Sequence, residues 1–211
     1  MKYLGLVLPP LLVMVLIGCT SVATPVRPSN PPPKKTAVFQ APPPPVAKAG
    51  VDIIRRDKWA QVAPILSDIN PMGRIGRITV HHEAELCEEG DWTSSVLRIR
   101  GIQKAHMQKG WADIGYHFMI DYKGRIWEGR LLKYQGAHVR DNNEGNIGIA
   151  LLGDFNIQWP TKEQKESLKR LLNELRTTYN VPKRRVYTHR ELVVTECPGD
   201  HLQSYVNELR R

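Results

Sequence analysis

Three side chains near the end of the sequence could do chemistry together: the imidazole of His189, the hydroxyl of Thr195 and the thiol of Cys197, in the run YTHRELVVTECPG from Tyr187 to Gly199. If residues 193–197 are extended, Thr195 and Cys197 face the same side, because side chains alternate along a strand. A histidine and a cysteine that converge can bind a metal, or they can pair as base and nucleophile. A second candidate stands earlier. The stretch RIGRITVHH, Arg74 to His82, reads as a strand ending in His81 and His82, and strand ends commonly display active-site groups. Two imidazoles and one thiolate would give Zn²⁺ three protein ligands and leave a fourth position for water, the arrangement of catalytic zinc. The local spacing is not that of a zinc finger, so at this level both the metal and the thiol-nucleophile readings stand.

The remaining sequence must supply the elements that position these groups. Trp92 to Gln108 reads as a helix, with Val96, Ile99 and Ile102 on one face. Tyr116 to Asp121 (YHFMID) reads as a strand, and Lys123-Gly124 as a turn before Arg125-Ile126-Trp127. Asn146 to Phe155 (NIGIALLGDF) is nearly continuous apolar sequence, as in a strand covered on both faces. Thr161 to Tyr179 carries the clearest helical signal. Thr161 and Gln164 match a capping box, and Leu168, Leu171, Leu172, Leu175 and Tyr179 repeat on one face. A short strand at Arg185 to His189 and a closing helix through Leu202, Tyr205, Val206 and Leu209 complete the set. Alternating strands and helices predict an α/β fold, a mixed central β-sheet flanked by helices in a single domain over residues 51–211.

Before that domain the chain changes character. Lys2 and the apolar stretch Tyr3 to Ile17 read as a signal segment over residues 1–18, too short for a comfortable membrane span. The stretch ends Leu16-Ile17-Gly18-Cys19, which resembles a bacterial lipobox and implies lipidation of Cys19. Thr20 follows in place of the aspartate that often marks inner-membrane retention, so an outer-membrane anchor facing the periplasm is expected. Residues 19–50 hold nine prolines between Pro25 and Pro45. That composition favours an extended tether, reaching on the order of 90 Å over roughly thirty residues. Lys2 carries +1 and the tether +4 of the net +9 charge, leaving a mild +4 on residues 51–211. No nucleic-acid motif accompanies the charge, and nucleic acid is not an expected partner. The three cysteines, at 19, 87 and 197, are too scattered for a disulfide framework.

Several segments in order resemble the zinc amidase domain shared by peptidoglycan recognition proteins and phage-type N-acetylmuramoyl-L-alanine amidases. They are IIRRDKW (53–59), ITVHH (78–82), IQKAHMQKGWADIGYHFMID (102–121), GRIWEGR (124–130), GAH (136–138), NIGIALLGDF (146–155) and THRELVVTECPG (188–199). The resemblance implies that His81, His189 and Cys197 ligate Zn²⁺ and that Tyr116 is catalytic. It places Thr195 where other members carry Lys or Thr as an oxyanion donor. It implies hydrolysis, by zinc-activated water, of the amide between N-acetylmuramic acid and L-alanine of peptidoglycan, by a protein expected to be monomeric. His138 and Trp59 match positions near the substrate groove, although Trp59 could equally be core. Asn146 either contacts peptide or caps the following strand, the latter being favoured. His82, His117, His106 and Asp113 are read as structural. Non-catalytic recognition members of the same fold typically lack a ligand, above all the cysteine, and this chain has the full set. Two departures stand out. Glu83-Ala84 follows the histidine pair where a small hydroxyl residue is common, and Cys87 stands where many animal members begin a disulfide whose partner region here, Trp92 to Ser95, contains no cysteine.

Overall fold

The computed structural model describes residues 51–88 and 90–211; the expected signal segment, Cys19 and the proline-rich tether lie outside the described residues. Strands β2 (Arg77–His82) and β5 (Asn146–Leu151) run parallel in a six-residue register, Arg77 opposite Asn146 through His82 opposite Leu151. Both lie inside the sheet and are buried almost throughout, as parallel strands covered by helices on both faces must be. Strand β6 (Val186–Thr188) extends the sheet beyond β2, and β3 (Phe118–Ile120) pairs with β5, both parallel. Strand β4 (Ile126–Glu128) returns antiparallel to β3 through the Lys123-Gly124 turn, and β1 (Ile53–Ile54) lies parallel along its outer side. The order β1-β4-β3-β5-β2-β6 makes the mixed sheet expected from the sequence.

Among the described residues, three α-helices cover it. Helix α1 (Trp92–Gln108) begins where Asp91 accepts hydrogen bonds from the Thr93 and Ser94 amides, which satisfies two of the donors that a helix start leaves open. Helix α2 (Lys162–Tyr179) begins with the Thr161–Gln164 capping box and ends at Asn180 in the left-handed region. Helix α3 (Asp200–Arg210) closes the chain. Leu168, Leu171, Leu172 and Leu175 of α2, with Leu202 and Val206 of α3, pack onto Ile78, Val80, Ile147, Ile149 and Leu151. On the other face Val96, Ile99 and Ile102 of α1 pack onto Met119, Trp127 and Ala150.

This division sets up the site. Period-two alternation sends Ile78 and Val80 into the α2/α3 core, so Thr79 and His81 face the α1 side. There, polar side chains (Thr79, His81, His117, His138 and Asn146) are buried where the opposite face is filled with aliphatic ones.

Candidate metal centre

His81 reaches the site from β2, opposite Ala150 of β5. His189 arrives from the neighbouring strand. Val80 is in register with Thr188, so the residue after each falls side by side, and the two rings lie 4.5 Å apart, centroid to centroid. The chain turns at that point: Thr188 N–H donates to the Glu191 carboxylate at 2.7 Å in a capping box that opens a short 3-10 turn, His189–Glu191. Cys197 closes the site from a bend. The expected extended run through residues 193–197 does not form, because residues 193–195 are bends. Thr195 and Cys197 are joined instead by a local hydrogen bond, Cys197 N–H to Thr195 Oγ1 at 3.2 Å. Arg190 fastens this bend, its amide donating to the Cys197 carbonyl at 2.9 Å and its guanidinium to Glu196 O and to Asp200.

One ligand atom from each of His81, His189 and Cys197 falls within 4.8 Å of the others. His81 Nδ1 lies 3.7 Å from Cys197 Sγ. Tetrahedral zinc at its usual bond lengths separates nitrogen and sulfur ligands by about 3.6 Å, so the donor set and its spacing fit that ion. The electrostatics do not favour a nucleophilic thiolate. Burial pushes the Cys197 thiol up to about 12, an effect only partly opposed by the His82 amide and Arg190. Burial also holds His81 well below its ordinary range, with His138, His189 and His82 adding to it, and lowers His189. A neutral thiol between neutral imidazoles lacks the charge partner that activates a cysteine. A divalent cation would supply it and displace the thiol proton.

Tyr116 stands beside this cluster, half-buried, its ring 5.3 Å from that of His81 and 5.4 Å from that of His106. Burial, then Cys197 and Glu83, raise the phenol's pKa, so it is a neutral hydrogen-bond donor across the physiological range. Glu83, two residues beyond His81, is engaged by Arg98 of α1, whose Nε lies 3.0 Å from its carboxylate and which also donates to the carbonyls of Glu85 and Leu86. The departure at Glu83 therefore comes with its own counter-charge.

A family profile described as N-acetylmuramoyl-L-alanine amidase (Amidase_2) matches residues 71–200. The chain belongs to that amidase family. It is 32% identical to peptidoglycan-recognition protein SC2 of Drosophila simulans over 170 residues, 78% of this chain and 88% of that protein. It is also 32% identical to an N-acetylmuramoyl-L-alanine amidase of Sus scrofa over 154 residues, 70% of this chain but 25% of that longer protein. Among solved structures, Drosophila peptidoglycan recognition protein SD superposes with a TM-score of 0.69 at 28% identity, covering 75% of this chain and 95% of that one. The amidase LysC from Clostridium intestinale superposes with a TM-score of 0.64 at 26% identity, covering 76% and 98%.

Within this amidase domain, the three residues considered for the substrate groove are all buried. Trp59 is fully buried in the α1-side core, its indole donating to the Glu128 carbonyl at 2.7 Å, so it cannot line a groove wall. Asn146 is likewise fully buried; its side chain accepts from Thr79 Oγ1 at 2.9 Å and donates to the Asn142 carbonyl at 2.7 Å. His138 is buried beneath the site, its Nδ1 3.0 Å from His81 Nε2 and its Nε2 3.1 Å from the Asn146 carbonyl oxygen. The histidines read as structural each accept a hydrogen bond from a backbone amide. His82 points into the α2/α3 side and accepts from the Phe155 amide at 3.3 Å, and His117 accepts from the Gly148 amide at 3.0 Å. His106 accepts from the Gly115 amide at 3.0 Å, which anchors the segment just before Tyr116. Asp113 is a buried carboxylate shared by Arg56 and Gln103. Reading residue types missed Arg190 as the clamp on the cysteine bend and Arg98 as the partner of Glu83. Neither has a motif; each is identified only by what the fold brings to it.

Proposed function

We propose that this chain is a zinc-dependent N-acetylmuramoyl-L-alanine amidase that hydrolyses the amide between N-acetylmuramic acid and L-alanine in peptidoglycan. The observation that carries this reading is the convergence of His81, His189 and Cys197 at ligand spacing, with Tyr116 beside them. Two neutral imidazoles and a thiol that ionises on binding would hold Zn²⁺ and leave room for a further ligand. When bound, zinc supplies Lewis acidity: a water nucleophile near neutral pH and polarisation of the scissile carbonyl.

The chain's own residues do the rest. Tyr116, kept neutral by burial, donates a hydrogen bond to the oxygen that gains charge as the amide carbonyl becomes tetrahedral. Thr195 accepts from the Cys197 amide, which leaves its own hydroxyl proton free to point at the same oxygen. Both donors are uncharged, and they stabilise the developing charge without creating an ion pair in the ground state.

The runner-up is a module of the same fold that holds peptidoglycan without cutting it, which several relatives' names as recognition proteins keep in view. Digestion of purified peptidoglycan with and without a chelator separates the two. New L-alanine amino termini, detected by mass analysis and abolished by chelation, are expected. Intact polymer that nonetheless sediments with the protein would establish the binding module. We further propose that Cys19 is lipidated and anchors the domain to a membrane, the outer one in a cell with two, by way of the proline-rich tether. Cys19→Ala should move the protein from the membrane fraction to the soluble one, and an unchanged distribution would remove the anchor.

A further inference from the structure

His81 can serve a metal through Nδ1 only if that nitrogen carries the lone pair, and a neutral imidazole has two tautomers. The hydrogen-bond chain behind the ring decides which one is present. His138 Nε2 lies 3.1 Å from the backbone carbonyl oxygen of Asn146. A carbonyl accepts and never donates, so the proton of that bond belongs to His138 Nε2. His138 Nδ1 then holds the lone pair. It faces His81 Nε2 at 3.0 Å, so His81 Nε2 must carry the proton and His81 Nδ1 must be bare. That bare nitrogen is the atom 3.7 Å from Cys197 Sγ.

The ring that transmits this preference has been given a seat. A Cβ built on Gly148 would come within 2.6–2.8 Å of three atoms of the His138 ring, and one on Gly136 within 2.5 Å of its Cδ2 and 2.9 Å of the His117 ring. Neither position has room for a side chain while His138 stays in place. The far end of the chain is fixed as well, because Thr79 and the Asn142 carbonyl both grip the Asn146 side chain.

We propose that His138 is a positioning residue: seated on Gly136 and Gly148 and polarised by the Asn146 carbonyl, it locks His81 in the tautomer that presents Nδ1 to the metal. This rests on the metal-centre reading above, but it makes a claim about the protein even without metal. It also replaces the groove position expected for His138 with a role exerted through His81.

The first test is ring-nitrogen NMR of the metal-free protein. His81 should show a protonated Nε2 and an unprotonated Nδ1 in the parent, and a mixture of tautomers in His138→Leu. The second is zinc affinity by chelator competition. Outer hydrogen-bond partners of ligating histidines are commonly worth about 10–100-fold in metal affinity, and His138→Leu should lose affinity in that range. His138→Asn, which offers a carbonyl oxygen near the position of Nδ1, should recover much of it. Gly148→Ala touches no ligand, yet it should displace the ring and weaken zinc binding in the same direction. A His81 that carries its proton on Nδ1 in the parent, or a folded His138→Leu that binds zinc as tightly as the parent, would overturn the proposal. The first of these would leave peptidoglycan hydrolysis untouched, so failure here is distinguishable from failure of the amidase reading.

Discussion

His81 and His82 are adjacent, chemically identical and both buried, yet they belong to different halves of the molecule. His82 faces the α2/α3 side, where its ring lies 6.4 Å from that of Phe155, its Nδ1 stands 3.6 Å from the Asp154 carboxylate, and it accepts a hydrogen bond from the Phe155 amide. His81 faces the α1 side, where its neighbours are His189, His138, Tyr116 and Cys197. Strand alternation alone separates them. The lesson is that chemistry here is assigned by face: one side of β2 is built for stability, the other assembles donors that water would otherwise compete for.

The pair His81→Ala and His82→Ala tests that division most severely. His81→Ala should abolish stoichiometric zinc binding with little loss of thermal stability. His82→Ala should keep zinc and destabilise the fold by about 1–3 kcal/mol, the cost of a buried amide left without its acceptor. Metal analysis and thermal melts of both variants decide it; equal effects on the two readouts would erase the distinction between the faces. Tyr116→Phe should keep zinc and slow turnover by about 10²–10³-fold, as for loss of one oxyanion donor, and an unchanged rate would remove Tyr116 from the catalytic set.

A smaller effect concerns the cost of storing histidines on the site face. Burial pushes both His106 and His117 down from 6.5 to about 4. Between those values the unfolded chain takes up protons that the folded chain refuses. The stability present above pH 6.5 is therefore lost as pH falls towards 4, by up to roughly 3 kcal/mol per histidine. Denaturant titrations of the metal-free protein across that window should show the decline, and a flat profile would contradict it.

How much of this could be read in advance depends on the kind of signal. Helix α1 and the leucine face of α2 were legible because periodicity and capping are local properties of the chain. Strand β5 was legible from its continuous apolar composition, and β2 as a strand ending in two histidines. The ligand positions came from a set of ordered motifs, and the fold brings all three together. What was not legible depends on direction and approach. Motif position left Trp59 open between groove and core, and the fold turns it inward to Glu128. The bend that brings Cys197 to the site is held by Arg190, a long side chain whose partners are set by tertiary structure. The His138 contact joins a loop residue to a strand residue 57 positions away, and the glycines that admit it look like ordinary turn or strand glycines in the sequence.

The most direct test of the central claim is to measure bound zinc and peptidoglycan hydrolysis together in Cys197→Ala. If the thiol is a ligand and the nucleophile is water, both should be lost in a protein that still folds. A variant that kept its zinc but lost activity would return Cys197 to the role of nucleophile. A metal-free protein that cut peptidoglycan at the parent rate would contradict the account.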